Sequence, residues 1–208
     1  MFGRVATFVI LAGGDKREVN RIWGKWRKLF VEKGESTSST EIRPHERLFM
    51  TLKAHCPIHL KQIVQVAYHT GMRQGEILSL TWGQVDLKEG FIKLRPEDTK
   101  TNDGRLVPLN GELMEMFRAL PHGLPAVPVF TYKGKSISCI KKSFVTACKK
   151  AGVEDFTFHD LRHVFINNRR LEGHDYFRIM AATGHKTLEV FKRYNSVSKD
   201  ELKALVER

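Results

Sequence analysis

The sequence predicts an α+β fold that is mainly α-helical and contains a small antiparallel β-sheet. Two observations carry this prediction. Apolar residues recur at helical spacing over most of the chain after residue 44. Two short runs rich in β-branched and aromatic residues flank the turn signal Asn102-Asp103-Gly104, which is typical of a β-hairpin. At 208 residues, of which 41% are hydrophobic, the chain is long enough to bury one domain core.

The chain is predicted to divide into an N-terminal appendage, residues 1–43, and a compact domain, residues 44–208. The appendage contains a segment dense in Lys, Arg and Trp and ends in the linker-like residues 34–40. Its apolar run, Phe8 to Ala12, is far too short to cross a bilayer, so we expect no membrane span.

The compact domain is predicted to begin with two helices, which Pro57 separates and Gly71 ends. A third, short helix follows over residues 74–80. This arrangement places Arg73 just beyond a helix end and one turn away from Glu76.

The β-hairpin is predicted to consist of Phe91–Leu94 and Arg105–Leu109, with Lys100 at its tip. Apolar spacing then predicts five further helices, at Leu113–Leu120, Ile137–Ala151, Leu161–Leu171, Phe177–Ala182 and Leu188–Tyr194.

The charge and the cysteines limit the class of protein. A net charge of +12 most often means a polyanionic partner, with nucleic acid the first candidate and a solubilising basic surface the alternative. Cys56, Cys139 and Cys148 are odd in number and form no Cys-x-x-Cys pair, so they indicate neither a disulfide framework nor a zinc site. A reducing, cytoplasmic location fits this usage.

The run His159-Asp160-Leu161-Arg162-His163 combines groups suited to phosphate chemistry. Thr157 and Asp160 form a capping-box helix start, which predicts His159 in the first turn and Arg162 one turn further on the same face. A guanidinium offers a fixed fork of donors and a permanent charge to phosphoryl oxygens. The alternative is a helix on which these side chains face solvent or pair with Asp160.

Arg73 and Lys100 are further candidate cations. Gly71 and Gly75 would let the backbone around Arg73 approach a ligand closely, and Glu76 could orient the guanidinium. The alternative is a solvated Arg-Glu ion pair. The ammonium of Lys100 suits a general acid for an alkoxide leaving group, although a hairpin lysine is most often just exposed.

Tyr194 is the candidate nucleophile. Its spacing from Leu188 and Phe191 is also that of a core-packing aromatic, which is the default interpretation. The adjoining Lys192 and Arg193 instead favour a basic helix end. Attack near neutral pH requires a neighbouring base or cations that stabilise the phenolate, and His185 and the arginines supply such groups.

In this order, these residues resemble the catalytic domain of the tyrosine recombinases, the phage-integrase type of site-specific DNA recombinase. The resemblance spans roughly Pro44 to the C-terminus. The family's catalytic positions fall in five motifs, which are Arg73 in Thr-Gly-Met-Arg-Gln-Gly-Glu-Ile, Lys100 ahead of Arg-Leu-Val-Pro-Leu, His159 and Arg162 in His-Asp-Leu-Arg-His, His185 in Thr-Gly-His-Lys-Thr, and Tyr194 in Arg-Tyr.

The resemblance implies the tyrosine recombinase catalytic-domain fold and a transesterification without metal or cofactor. Tyr194 would attack a phosphodiester of double-stranded DNA, leaving a 3′-phosphotyrosine and a free 5′-hydroxyl. Arg73 and Arg162 would hold the non-bridging oxygens, and Lys100 would protonate the leaving oxygen. His159 and His185 would donate hydrogen bonds or transfer the proton of the tyrosine. The family assembles as four protomers on DNA, so we expect a tetramer on DNA and a monomer without it.

The chain also departs from the family pattern. Residues 1–43 are too few to form the N-terminal helical core-binding domain that usually completes a clamp around DNA. Residues 167–170, Asn-Asn-Arg-Arg, are polar where many relatives are small and apolar. The tail carries an amphipathic pattern at Leu202, Leu205 and Val206, which could dock on a neighbouring protomer or fold back in cis.

Three other functions compete with this interpretation. One is a DNA-binding module without activity, in which Tyr194 packs in the core. A second is a metal-dependent nuclease, because His159 and His163 are spaced as metal ligands on a helix, although no acidic cluster accompanies them. The third is a topoisomerase of the IB type, which shares the chemistry.

Overall fold

The computed structural model describes residues 44–99, 102–153 and 155–192, together with Val206. Helices dominate this part of the chain and a small antiparallel sheet accompanies them, which confirms the predicted fold class. The helices are α1 (Pro44–His55), α2 (Ile58–Thr70), α3 (Gln74–Leu78), α4 (Gly111–Ala119), α5 (Lys141–Lys150), α6 (Asp160–Leu171), α7 (Tyr176–Thr183) and α8 (Leu188–Lys192). The strands are β1 (Val85–Asp86), β2 (Phe91–Leu94), β3 (Arg105–Pro108), β4 (Thr131–Tyr132) and β5 (Lys135–Ser136).

The predicted hairpin forms the centre and one edge of a three-stranded sheet in the order β1-β2-β3. Its register pairs Ile92 with Val107 and Leu94 with Arg105. Ile92 and Val107 are both fully buried, so this face of the sheet packs on the core. The two-residue strand β1 and the separate β4–β5 hairpin were not predicted, because two-residue strands are too short to show an alternating pattern.

The central helix is α2, which is buried on nearly every side. Pro57 precedes its first residue, and Gly71 ends it in the left-handed conformation with φ +64°. The N–H of Gly71 donates to the carbonyl of Ala67, which closes the helix. Both helix boundaries therefore lie where the sequence predicts them.

Among the described residues, the largest error in a predicted helix boundary is at the start of α5. The helix expected over Ile137–Ala151 begins at Lys141, because residues 137–140, which follow the β5 strand, have no regular secondary structure. Ile137 and Ile140 are buried at a spacing of three residues, which resembles helical periodicity without being helical.

Helices α6, α7 and α8 share a small second apolar cluster beside the main core, formed by Phe165, Ile166, Ile179, Met180 and Phe191. Helix α6 also packs against α2, so it joins the main core to α7 and α8. Among the described residues, no helix is long and apolar enough to cross a membrane.

We predict that Gly71→Ala strongly destabilises the fold. A Cβ at this position would lie 2.5 Å from Cδ1 of Phe165, and the left-handed backbone adds strain. Overpacking and the left-handed conformation together should cost about 2–5 kcal/mol. Urea denaturation measures this change as a lower midpoint.

Gly90→Ala is the matched control. Gly90 has a similar φ of +75°, but no neighbouring atom lies within 4 Å of the place that an alanine methyl group would take. This variant should show only the conformational strain of about 1–2 kcal/mol. Equal destabilisation of the two variants would show that the contact between Gly71 and Phe165 is not a packing constraint.

Candidate active site

Arg73 lies immediately before α3 and is oriented by Glu76. Its backbone N–H donates to Oε2 of Glu76 at 2.8 Å, and its Nη1 donates to Oε1 at 2.9 Å. Its Nη2 donates to the carbonyl oxygen of Gly184 at 3.2 Å. The Arg73 side chain keeps 24% of its surface exposed, whereas Glu76 is buried. The guanidinium is therefore fixed in direction and still accessible to a ligand.

Arg162 is buried in the first turn of α6, with 2% of its surface exposed. Nη1 donates to the carbonyl oxygen of Gly71 at 2.8 Å, and Nη2 donates to that of Thr183 at 2.7 Å. This burial excludes the alternative in which Arg162 faces solvent. The carbonyl contacts tie α6 to the ends of two other helices.

Asp160 has the capping role that the sequence predicts. Its Oδ2 accepts from the backbone N–H of Thr157 at 2.7 Å and from the Thr157 hydroxyl at 2.8 Å. These bonds hold residues 157–159 in a turn before the helix. His159 therefore precedes α6 and is not in its first turn, which corrects the prediction by one position.

Arg105, at the start of β3, belongs to the same cluster and was missed in the sequence. Its Nη2 and Nη1 donate to the two carboxylate oxygens of Glu76 at 2.6 and 3.1 Å, and its Nε donates to the carbonyl of Ala182 at 2.9 Å. One signal could have revealed it. In a strand, side chains alternate between the two faces, so Arg105 lies on the same face as the buried Val107. This alternation predicts that the charge of Arg105 is on the side of the core.

The C-terminal end of α7 is the point where the arginines meet. The carbonyl oxygens of residues 182, 183 and 184 accept, in that order, from Arg105, Arg162 and Arg73. The last carbonyls of a helix lack partners within the helix and carry its negative dipole end, so they are suited to cationic donors. Gly184 ends α7 with φ +73°, and a Cβ there would lie 3.1 Å from Nη1 of Arg105. The turn therefore requires glycine.

His185 follows this turn and is buried. Its Nδ1 lies 2.7 Å from Oγ1 of Thr183, and Nη2 of Arg162 lies 3.4 and 3.2 Å from Nδ1 and Nε2. Burial, followed by the positive charge of Arg162, lowers the pKa of His185 to about 3. The imidazole is therefore neutral at physiological pH.

His159 lies at the edge of the cluster with an exposed side chain. Its ring centroid is 5.2 Å from that of His163 in an edge-to-face arrangement. Its charge is among the influences that lower the pKa of His185, after burial, Arg162 and Arg73. The structure thus gathers Arg73, Glu76, Arg162 and His185 and places His159 beside them.

The predicted residues Lys100 and Tyr194 lie outside the described residues. On the Lys100 side, the hydroxyl of Thr99 donates to the carbonyl of Asp103 at 3.0 Å, and the Asp103 N–H donates back to that hydroxyl at 3.0 Å. On the Tyr194 side, the Phe191 ring lies 5.7 Å from that of His185. Of these described neighbours, Phe191 is packed against the cluster through His185.

This arrangement is suited to binding a dianionic or pentacoordinate phosphoryl group. The cluster contains three guanidiniums and one carboxylate, of which only Arg73 and Arg105 contact Glu76, so a net positive charge remains. Each guanidinium is held by carbonyl oxygens or by Glu76 before any ligand binds, so the donors need no reorganisation as negative charge develops. A permanent charge of this kind stabilises phosphoryl oxygens at every physiological pH.

The described residues offer no group of three or more His, Cys, Asp or Glu side chains that could hold a metal ion. His159 and His163 are neighbours, as a metal site would require, but no third ligand joins them within this part of the chain.

All three cysteines are free, and burial raises the pKa of Cys148 to about 12 and that of Cys56 to about 11. Neither of these two thiols is activated as a nucleophile.

Comparison with known families and proteins gives a consistent result. The family model described as the phage integrase family matches residues 42–201. The chain is 37% identical over 133 residues to the shufflon-specific DNA recombinase of Escherichia coli, covering 64% of this chain and 33% of that protein. It is 28% identical over 203 residues to the integrase of Salmonella phage P22, covering 89% and 52%.

Solved structures agree on the fold. The catalytic domain of the bacteriophage HP1 integrase matches with a TM-score of 0.59 and 28% identity, covering 77% of this chain and 90% of that one. The XerA recombinase matches with a TM-score of 0.66 and 24% identity, covering 82% and 64%. The chain spans one third and about one half of the lengths of the two relatives named above.

We predict that Arg105→Met destabilises the protein by about 3–5 kcal/mol at neutral pH, because it leaves the buried Glu76 carboxylate short of a partner. Burial by itself raises the pKa of Glu76. The hydrogen bonds from Arg105 and Arg73 lower it by more, so the pKa lies below its ordinary value. In the wild type, Glu76 therefore contributes stability above the unfolded-state pKa, and this contribution is lost as the pH falls through the lower folded-state pKa. Without Arg105 the pKa rises, so the destabilisation should shrink on acidification. Denaturation at neutral pH and near pH 4 measures both effects.

Arg95→Met is the matched control for this experiment. Arg95 pairs with Asp98 at 3.3 Å on the same hairpin, but its side chain is 66% exposed. Exposed pairs contribute little because solvent screens them. If Arg95→Met changes the stability little and Arg105→Met lowers it strongly, the buried pair of Arg105 and Glu76 is the one that stabilises the fold. Similar losses in both would contradict the prediction.

Proposed function

This chain belongs to the phage integrase family, and from that membership we propose that it is a site-specific DNA recombinase, a tyrosine-type DNA strand transferase that cuts and rejoins DNA through a 3′-phosphotyrosine. The observation that carries the proposal is the pair formed by Arg73 and Arg162. Both guanidiniums are held at one site by the carbonyls that end α7. A phosphodiester placed against them would have its non-bridging oxygens neutralised without a metal.

In the proposed reaction, the phenolic oxygen of Tyr194 attacks the scissile phosphorus and forms a new P–O bond. The bond from phosphorus to the 5′ oxygen breaks, and Lys100 protonates that oxygen. Arg73 and Arg162 stabilise the charge on the intermediate. A neighbouring imidazole, His159 or His185, takes the phenolic proton. The covalent link conserves the bond energy, so rejoining needs no nucleotide.

Glu76 acts indirectly in this scheme. Its two oxygens bind Arg73 and Arg105, so it keeps the Arg73 guanidinium turned toward Gly184 and the cluster. Because Glu76 is almost fully buried, it stays away from the DNA phosphates that it would otherwise repel. We assign it a positioning role.

The proposed partner is double-stranded DNA, on which four copies of the chain assemble, whereas the chain is a monomer without DNA, in the cytoplasm of a bacterium. The net charge of +12 supports a polyanionic partner. The names of the relatives, a DNA recombinase and a phage integrase, support strand exchange over simple relaxation or binding without activity.

Tyr194→Phe should abolish covalent attachment to DNA, because the nucleophilic hydroxyl is lost. The measurement uses a nicked suicide duplex, or a genomic fragment library while the site is unidentified, in the presence of excess chelator, followed by denaturing electrophoresis. Tyr132→Phe, on the exposed β4–β5 hairpin, is the control and should attach as the wild type does. Attachment by Tyr194→Phe, or attachment that requires a divalent metal, would contradict the mechanism.

Arg162→Lys should slow cleavage about 100-fold or more while DNA affinity changes only a few-fold. A lysine ammonium cannot span the carbonyls of Gly71 and Thr183 and also present a donor to phosphate. Single-turnover cleavage at saturating DNA measures the rate, and a binding titration measures the affinity. Arg118→Lys, on the exposed face of α4, should have no effect on either. A normal cleavage rate in Arg162→Lys would exclude Arg162 from the reaction.

A further inference from the structure

The carboxylate of Glu76 is shared by two arginines, which bind it in different ways. Arg105 binds it as a fork, because Nη2 donates to Oε2 at 2.6 Å and Nη1 donates to Oε1 at 3.1 Å. Arg73 uses one guanidinium nitrogen, Nη1, which donates to Oε1 at 2.9 Å, and its backbone N–H donates to Oε2 at 2.8 Å. The Arg105 side chain therefore holds both carboxylate oxygens, whereas the Arg73 side chain holds one.

These four hydrogen bonds saturate the carboxylate. A carboxylate has about four lone-pair sites, two on each oxygen, and each oxygen of Glu76 accepts from two donors. Burial raises the pKa of Glu76, and the hydrogen bond and charge of Arg105 lower it more strongly than the bonds from Arg73 do. Of the two arginines, Arg105 is thus the main partner of Glu76.

The sharing leaves Arg73 with donors for a ligand. An arginine side chain has five N–H groups, and the hydrogen bonds of Arg73 to Glu76 and to the Gly184 carbonyl use two of them within the described part of the chain. The Arg73 side chain is 24% exposed, whereas that of Arg105 is 6% exposed. Arg73 can therefore reach a ligand, and Arg105 is enclosed behind it.

Loss of Arg105 would change the state of Arg73. A buried carboxylate with two vacant lone-pair sites strongly favours a new hydrogen bond. Arg73 lies three residues from Glu76 and is already bonded to Oε1, so its guanidinium is placed to supply that bond. Arginine and carboxylate readily form such a bidentate pair. The pair would be neutral, and it would turn the Arg73 fork away from Gly184 and from a ligand.

We propose that Arg105 is a positioning residue for DNA cleavage, which occupies both oxygens of Glu76 and so prevents Arg73 from forming a bidentate pair with it. This proposal rests on the proposed function. Arg105 acts through Glu76 and does not contact the phosphate. Two guanidiniums on one carboxylate carry a net charge of +1, so the Arg73 fork stays both charged and open for the phosphoryl oxygens.

The first test is independent of cleavage. Sulfate is a dianion of the shape of a phosphoryl group, and calorimetric titration of the full chain without DNA measures its binding. The wild type should bind sulfate, and Arg73→Ala should lose this binding, which locates it at the cluster. Arg105→Met should bind sulfate about 10-fold or more weakly, because one charge-assisted donor pair is lost. Wild-type affinity in Arg105→Met, or in Arg73→Ala, would overturn the proposal.

Glu76→Gln provides the discriminating background. Glutamine has the shape of glutamate but no charge, so it cannot draw Arg73 into a bidentate ion pair. In this background, adding Arg105→Met should change sulfate affinity only a few-fold. A purely structural role of Arg105, or a direct contact with the anion, predicts the same large loss in both backgrounds, and that result would overturn the proposal. The double variant leaves no unpaired buried charge, so this comparison does not depend on the stability of Arg105→Met.

Arg105→Lys separates the fork from the charge. A lysine ammonium keeps the positive charge but cannot hold both oxygens of Glu76 in a planar fork. This variant should bind sulfate more weakly than the wild type and more tightly than Arg105→Met. Wild-type affinity in Arg105→Lys would show that the charge alone matters, which would overturn the positioning role.

Arg95→Met is the control for charge on the same hairpin. Arg95 also pairs with a carboxylate, that of Asp98, but its side chain is 66% exposed. This variant should bind sulfate as the wild type does. An equal loss in Arg95→Met and Arg105→Met would attribute the effect to the general charge of the hairpin and overturn the role of Arg105.

The second test measures single-turnover cleavage of the suicide duplex at saturating DNA. Arg105→Lys should cleave about 10-fold more slowly than the wild type, with DNA affinity changed only a few-fold, and the Arg105→Met change should matter little in the Glu76→Gln background. Wild-type cleavage by Arg105→Lys would overturn the proposal. If the wild type itself forms no Tyr194-dependent link, the proposed function fails, whereas the sulfate titrations still decide whether Arg105 holds Arg73 open.

Discussion

The cluster depends on one constraint, the convergence of three guanidiniums on the C-terminal end of α7. Three consecutive carbonyl oxygens, of residues 182–184, each accept from a different arginine. The donors come from β3, α6 and the residue before α3, so one helix end joins elements that are far apart in the chain. A buried guanidinium without acceptors would be strongly unfavourable, and these carbonyls supply the acceptors without adding a neutralising charge. The site therefore stays positive.

Two left-handed glycines make this convergence feasible. Gly71 ends α2 and Gly184 ends α7, and the carbonyl oxygen of each accepts from an arginine. A left-handed residue turns the chain sharply at a helix end and presents its carbonyl away from the helix axis. At Gly71 a Cβ would collide with Phe165, and at Gly184 it would lie in tight contact with Arg105. In both places the left-handed backbone also favours glycine.

Glu76 and His185, the other polar groups of the cluster, differ in their roles. Glu76 binds Arg73 and Arg105 and is buried, so the one carboxylate of the cluster positions cations without facing a ligand. His185 is neutral because burial and the arginines oppose its protonation. The imidazole stays neutral among permanent cations, and the guanidiniums keep their charge throughout. Fixed, permanently charged donors of this kind are suited to a metal-free phosphoryl transfer.

The sequence by itself determined the fold class, the helix boundaries at Pro57 and Gly71, and the ordered set of motifs that contains Arg73, Arg162 and His185. These features follow from periodicity, turn residues and side-chain chemistry, all of which are local. Only the tertiary structure decided the role of Arg105. Its contacts are a backbone carbonyl and a buried carboxylate brought together across the chain, and Arg105 and Ala182 lie 77 residues apart. Every residue carries a carbonyl, so the sequence does not mark which ones will accept, and only folding selects them.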